Sequence, residues 1–350
     1  MNVHGGYHGG NAKMLDFSVN INPLGMPPRL KYDLIAAMDD LGRYPEIAGA
    51  SQRDRLAGHL GVYPGQVILG NGAIELIYLF ARSLCRSDSK ALIVSPTFNE
   101  YRRALTMNGW EGVTEWVAGA DVDFRIDPGA LARAIAEEQP NAVFICNPNN
   151  PTGMAYSCDY LRDLMDECDP GILWFIDESF IDFSTKESSL TLVADEGRPV
   201  ILLRSMTKFF GIPGLRIGYA VGHEAIIHAM ERYKEPWSIN SLALEAVDTV
   251  FRDTRYMETT KNYIRKERHR VYVALSKLNN LKVYQSAADF HLCRLKCGTA
   301  AALNEGLNTR NINIRTCEDF TGLGSDYFRI AVKKAEDNDA LMTALTEIVG

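Results

Sequence analysis

Between residues 66 and 221, short apolar runs alternate with amphipathic stretches. The runs fall at Val67–Leu69, Ala91–Val94, Val113–Val117, Ala142–Cys146, Ile172–Ile176, Val200–Arg204 and Ile217–Val221. Most are continuous rather than alternating, the pattern of strands covered on both faces. The spacing predicts helices over Ala73–Leu84, Pro128–Glu138 and Tyr160–Glu167. The expected fold class is therefore α/β, with a large domain built on a mainly parallel seven-stranded sheet. Further on, Glu224–Tyr233, Leu242–Arg252 and the long, charged Tyr256–Leu278 read as helices. The remainder has the pattern of a smaller α+β domain. Its strands are expected near Lys282–Tyr284, Phe290–Leu295, Ile312–Arg315 and Tyr327–Val332, and its helices at Ala300–Glu305 and Glu336–Val349. The expected division is an N-terminal arm (1–30) packing with the small domain, a large ligand-binding domain (31–250) and a C-terminal small domain (251–350).

Composition narrows the function classes. The 350-residue chain is 46% hydrophobic and 23% charged, ordinary values for a globular protein, and fits one large domain plus a smaller one. A net charge of −7 gives no basic footprint for nucleic acid or an anionic membrane. An anionic substrate must then be met by a local cluster of Arg and Lys. The seven cysteines are odd in number and form no C-x-x-C pair, so buried reduced thiols are expected. Neither a signal-peptide pattern nor a membrane-length apolar run is visible, and a cytoplasmic location is expected. His4 and His8 lie in a doubled His-Gly-Gly without an accompanying Cys or carboxylate cluster. A mobile arm is the reading there, and no metal site is expected.

The candidate chemistry follows the strand ends, where ligands of such sheets bind. Asn147-Pro148-Asn149-Asn150-Pro151-Thr152-Gly153 follows one run, Asp177-Glu178 another, and Ser205-Met206-Thr207-Lys208 a third. Together they offer what pyridoxal 5'-phosphate needs: a lysine for its aldehyde, a carboxylate for its pyridinium nitrogen, and donors for its phenolic oxygen and phosphate. Lys208 is the candidate for the Schiff base; taken alone it is a solvated charge. Asp177 is either the pyridinium partner or a helix cap. Asn150 is either a donor to the phenolic oxygen or part of a Pro/Asn turn. Ser205, Thr207 and Arg216 within one loop make a phosphate site. Gly70-Asn71-Gly72-Ala73-Ile74-Glu75 opens a helix but carries Glu75 where a dinucleotide fingerprint needs a third glycine. Gly72, Ala73 and Ile74 are therefore assigned to the cofactor phosphate at the helix N-terminus. Phe98 either stacks on the pyridine ring or packs in the core. Arg315 and Arg329, on successive strand candidates, suit either a substrate with two anionic groups or ordinary ion pairs.

With these residues in place, the chain resembles the fold-type I, class I/II pyridoxal-phosphate aminotransferases. The likeness rests on Gly-Asn-Gly-Ala-x-Glu, Asn-Pro-Asn-Asn-Pro-Thr-Gly, Asp-Glu-x-Phe-Ile-Asp-Phe, Ser-x-Thr-Lys and Pro-Gly-Leu-Arg-x-Gly-Tyr in that order. Within that superfamily it resembles the histidinol-phosphate aminotransferase group and, most closely, the L-threonine-O-3-phosphate decarboxylases of cobalamin biosynthesis. The narrower likeness rests on four features. They are His8-Gly9-Gly10-Asn11 followed by Asp16 through Gly25, Phe180 in Asp177-Glu178-Ser179-Phe180, Pro236-Trp237-Ser238-Ile239-Asn240, and Arg315-Thr316-Cys317. It implies decarboxylation of L-threonine O-3-phosphate, or L-serine O-phosphate, to aminopropanol or ethanolamine phosphate for the corrinoid nucleotide loop. The alternative it leaves is an aminotransferase of histidinol-phosphate type. It also implies a homodimer in which Tyr44 reaches the partner's cofactor phosphate. Substrate contacts would come from His8, Asn20, Asn150, Arg315 and Arg329, and catalysis from Lys208 and Asp177. One departure stands out: only Ala12–Leu15 separates His-Gly-Gly-Asn from Asp16, a shorter arm than those decarboxylases carry. That shortening allows a shift in substrate preference toward serine phosphate.

Overall fold

The computed structural model describes residues 5–6, 14–193 and 198–350. His4 and His8 lie outside the described residues. A short strand, β1 (Leu15–Asp16), precedes seven strands: β2 (Val67–Gly70), β3 (Lys90–Ser95), β4 (Gly112–Val117), β5 (Ala142–Cys146), β6 (Leu173–Asp177), β7 (Val200–Ser205) and β8 (Gly218–Gly222). They form one sheet in the order β2-β8-β7-β6-β5-β3-β4. Strand β8 runs antiparallel to both neighbours, and the other pairings are parallel.

Alternate residues explain the continuous apolar runs. Val143, Ile145, Trp174, Ile176 and Leu202 face one apolar cluster, while Ala142, Phe144, Phe175, Ile201 and Leu203 face the other. Both faces are thus sealed, as the pattern predicted. Strand β4 departs from it, being only half-buried because it lies at the sheet edge. Several helices begin at residues whose side chains accept a first-turn N–H: Asp127, Ser157, Asn240, Asp253 and Thr299.

The 22-residue helix Thr254–Leu275 leads to a second sheet. After it come β9 (Leu281–Val283), β10 (Phe290–Leu295), β11 (Ile312–Asn313), β12 (Arg315–Thr316) and β13 (Tyr327–Ala331). The second sheet has the order β12-β13-β10-β9 and is antiparallel throughout. The single run expected at Ile312–Arg315 is broken in two. Strand β11 pairs in parallel with β1, whereas β12 joins the second sheet, so the chain turns a corner at the buried Ile314. Through that pairing Phe17 enters the apolar cluster of Val271, Leu281, Phe328 and Ile330.

Three helices were not visible in the apolar pattern: Pro28–Ala37, Ala50–Leu60 and Glu100–Met107. The first two bury only one and two residues, so they carry little periodic signal. The expectation of uniformly buried thiols also needs correction. Cys146, Cys293 and Cys317 are buried, but Cys85, Cys158 and Cys168 are half-buried and Cys297 is exposed. Cys297 follows the end of β10 at Leu295 and so leaves the core. Among the described residues no helix is long and apolar enough to cross a membrane.

Candidate active site

The carboxyl ends of β3, β5, β6 and β7 lie side by side, because these strands are parallel. Gly218, which opens the antiparallel β8, pairs with both Gly70 and Ser205 and so lies at the same end. Above this edge is a cleft of about 730 Å³. Its lining includes Asn20, Ala73, Ile74, Phe98, Asn150, Asp177, Ser205, Thr207, Lys208, Arg216, Arg315 and Arg329. Asn20 and Arg329, at the two ends of the chain, thus share one cavity with the residues between them, and each was singled out from the sequence. One candidate lies elsewhere. Tyr44 is on the outer surface, 84% exposed, with its ring 5.3 Å from that of Trp237. His8 is outside the described residues.

Lys208 sits in the single helical turn Met206–Phe209 that ends β7. Its Nζ donates to Ser205 Oγ at 3.2 Å and lies 5.5 Å from the centre of the Phe180 ring. Burial lowers the amine from its ordinary value; Asp177 and Asp289 oppose that shift and Arg216 adds to it. The result favours the neutral, nucleophilic amine. Asp177, the last residue of β6, is buried. Its Oδ2 accepts from the Tyr101 hydroxyl at 2.6 Å and its Oδ1 from the Ser179 N–H at 2.8 Å. Burial and the Asp177 charge raise the Tyr101 phenol well above its usual range, so it remains a donor. No local signal in the chain points to Tyr101, which lies 76 positions from its partner.

An anion cradle forms where helix Ala73–Leu84 begins. Its first N–H groups have no acceptor within the helix. Gly72 has φ +79°, and a Cβ there would run into the Arg216 guanidinium. A Cβ on Gly218 would come within 2.6 Å of the Ala73 nitrogen. Glycine at both positions lets the guanidinium and the helix start close on one small volume. The Ser205 and Thr207 hydroxyls, 2.9 Å apart, sit beside it.

Arg315 and Arg329 are direct cross-strand partners on β12 and β13, so both side chains leave the same face of the sheet. Both are buried. Arg329 donates to Asn150 Oδ1 and, at 2.6 Å, to the Ser18 carbonyl oxygen. Burial brings it down to about 10, with Arg315 pushing the same way. Asn20 is buried with its Oδ1 unpartnered among the described residues. Two like charges facing each other at low exposure are costly without an anion between them.

Asp289 is a further buried group that sequence reading passed over. It is fully buried, and neither carboxylate oxygen has a partner among the described residues. Arg329, Lys333, Lys208 and Arg268 act on it or feel its charge. Burial nevertheless pushes its carboxyl up to about 6. With the folded value above the ordinary 3.8, its contribution to stability is present below about pH 4 and lost as pH rises through about 6. Asp289→Asn is therefore expected to be more stable than wild type at pH 8. The gain should be on the order of 3 kcal/mol, at ~1.4 kcal/mol per pKa unit, and should shrink below pH 5. Melting curves of the cofactor-loaded proteins at both pH values check this. Equal stability at pH 8 would mean that the surrounding cations hold the carboxylate charged.

Comparison with known proteins gives the following. Residues 12–345 match the family model described as aminotransferase class I and II. The threonine-phosphate decarboxylase of Salmonella typhimurium is 35% identical over 356 residues, covering 98% of this chain and 96% of that protein. The histidinol-phosphate aminotransferase structure from Clostridium acetobutylicum superposes with a TM-score of 0.88 at 30% identity, covering 96% of this chain and 99% of that one. The L-threonine-O-3-phosphate decarboxylase structure from Porphyromonas gingivalis gives 0.84 at 28% identity, covering 95% and 99%.

Proposed function

The chain belongs to the aminotransferase class I and II family, and from that premise we propose that it is a pyridoxal-phosphate-dependent decarboxylase of L-threonine O-3-phosphate. The observation that carries the substrate class is the buried, cross-strand pair Arg315 and Arg329 opening on the same cleft as Lys208. One guanidinium matches the carboxylate of an amino acid, and the second calls for another anion on the same molecule. The product would be aminopropanol phosphate for the corrinoid nucleotide loop.

The residues present fit pyridoxal 5'-phosphate. The cradle of Gly72, Ala73, Ile74, Ser205, Thr207 and Arg216 suits its phosphate, Asp177 its ring nitrogen, Asn150 its phenolic oxygen and Phe98 the face of its ring. When bound, the cofactor supplies an aldehyde for the substrate amine and a protonated ring that accepts the electron pair left at Cα. Lys208, its pKa lowered by burial, would hold the cofactor's aldehyde and would be the group that carries a proton to or from Cα. Asp177, steadied by Tyr101 and Ser179, keeps the proton on the ring nitrogen. Asn20, Arg315 and Arg329 would fix the substrate's anions and so orient the bonds at Cα. Where the Cα–carboxylate bond is the one that breaks, carbon dioxide would leave with the electron pair remaining at Cα, and Lys208 or water would supply the proton that Cα gains.

A homodimer is supported by an apolar outer surface. Tyr32, Ile35, Met38, Leu41, Tyr44 and Ile47 are all more than half exposed, and Tyr44 lies against Trp237. In this reading the Tyr44 hydroxyl reaches the cofactor phosphate of the partner subunit.

The deciding experiment incubates the cofactor-loaded protein with O-phospho-L-threonine and O-phospho-L-serine. Carbon dioxide release is followed beside keto-acid formation with 2-oxoglutarate. Carbon dioxide without 2-oxoglutarate is expected; keto acid alone would place the protein with the aminotransferases. Arg329→Lys, which keeps charge but loses the planar fork, should lower kcat/KM while leaving cofactor binding intact. The expected loss is about 2–5 kcal/mol, or roughly 30- to several-thousand-fold. Near wild-type kcat/KM in this variant would remove the anion clamp from the reading.

A further inference from the structure

Arg315 and Arg329 differ in what already holds them. The Nη atoms of Arg329 meet uncharged oxygens, and its Nε has no partner among the described residues. Arg315 Nη2 is paired instead with a carboxylate, Asp319 Oδ2, at 2.7 Å. Asp319 stands in the turn between β12 and β13, and its side chain is about a quarter exposed. It is fastened from across the cleft. Asn99, just ahead of helix Glu100–Met107, donates through Nδ2 to the Asp319 carbonyl oxygen at 2.9 Å and to Oδ2 at 3.0 Å. A single oxygen, Asp319 Oδ2, thus accepts from both Asn99 and Arg315, and both of those residues line the cleft.

We propose that Asp319 is a resident anion that competes with the substrate's distal anion for Arg315, and thereby selects phosphate over carboxylate at that position. The inference rests on the assignment of Arg315 to the substrate's second anion and adds the group that it must displace. The exchange conserves one contact, since a guanidinium–carboxylate pair is replaced by a guanidinium–phosphate pair. A phosphate dianion brings twice the charge and three acceptor oxygens, so it gains in the exchange. A second carboxylate brings only what Asp319 already provides and gains nothing. Discrimination by a built-in competitor costs affinity for the right ligand and more for the wrong one. The side chain is partly exposed while its Oδ1 is buried without a partner among the described residues, so leaving Arg315 lets the carboxylate gain solvent contacts it lacks in place. Its departure costs Asn99 one of its two bonds to Asp319 and leaves the bond to the Asp319 carbonyl oxygen in place.

The test uses the cofactor-loaded protein, so that the cofactor phosphate already fills the cradle at Gly72 and Arg216. Inorganic phosphate is titrated calorimetrically into wild type, Asp319→Asn and Asn99→Ala. Asp319→Asn keeps an oxygen for Asn99 but removes the competing charge, and should bind phosphate about tenfold tighter than wild type. Asn99→Ala leaves the charge but loosens its hold, and should tighten binding by a smaller factor. With O-phospho-L-threonine, KM of Asp319→Asn should fall while kcat does not rise. Its preference for O-phospho-L-threonine over L-glutamate, read as competitive inhibition, should narrow. Unchanged or weaker phosphate binding in Asp319→Asn overturns the proposal. If that variant does not load cofactor, unchanged binding in Asn99→Ala overturns it instead. The two readings separate cleanly. Tighter phosphate binding without carbon dioxide release from wild type keeps the anion exchange and removes the decarboxylase. Carbon dioxide release without tightening does the reverse.

Discussion

Lys208→Ala is expected to abolish turnover, with a loss of at least about 10³-fold, because one side chain is asked to perform two tasks. It must present a neutral amine to the cofactor aldehyde and later handle the proton at Cα. The structure supplies the conditions for both. The amine is buried beside Phe180 with Ser205 Oγ as its hydrogen-bond partner, and burial lowers its pKa. No other lysine lines the cleft among the described residues, so no neighbour can substitute. Borohydride treatment followed by peptide mass analysis should mark Lys208 in wild type and no lysine in the variant. The variant should still bind cofactor, since the phosphate cradle is untouched. A borohydride-stable adduct on a different lysine of the variant would reassign the attachment site.

Asp177→Asn is expected to lower kcat by about 10²- to 10⁴-fold while KM changes only a few-fold. The amide is nearly the same shape. Its oxygen can still accept from Tyr101 or from the Ser179 N–H, so the end of β6 should stay in place. What it loses is the negative charge that holds a proton on the ring nitrogen. That proton matters chiefly when the electron pair is left at Cα, so the cost falls on the transition state more than on substrate binding. Steady-state kinetics on fully loaded enzyme, with cofactor content measured in parallel, give the answer. A variant with wild-type kcat and a raised KM would make Asp177 a substrate-binding group rather than the partner of the ring.

The sequence alone determined the architecture of the central sheet and the residues at its working edge. Continuous apolar runs of strand length bounded by turn residues are the pattern of strands sealed on both faces, and most such strands have parallel neighbours and a functional carboxyl edge; β4 at the edge and the antiparallel β8 depart from it. The segments at Asn147, Asp177 and Ser205 directly follow such runs, so their placement was local and legible. The same holds for Gly72 ahead of Ala73–Leu84, where the turn chemistry and the helix start are adjacent in the chain. What only the tertiary structure decided is every relation that crosses from one segment to another. Tyr101 meets Asp177 because helix Glu100–Met107 packs beside β3 and β4 and sets the Tyr101 ring against Phe144 of β5 and Phe175 of β6; nothing in either segment announces the other. Arg315 and Arg329 became an opposed pair through the register of β12 against β13, which depends on the corner at Ile314. Asp319 reads in sequence as one more surface acid. It becomes a competitor for Arg315 only because Asn99, 220 positions earlier, holds it across the cleft. Asp289 reads as a strand-flanking carboxylate, and its complete burial without a hydrogen-bond partner among the described residues appears only in the folded chain. The physical reason is one of range: secondary structure and turn chemistry answer to neighbours within a few residues, whereas charge pairing and desolvation answer to whatever the fold brings within a few ångströms.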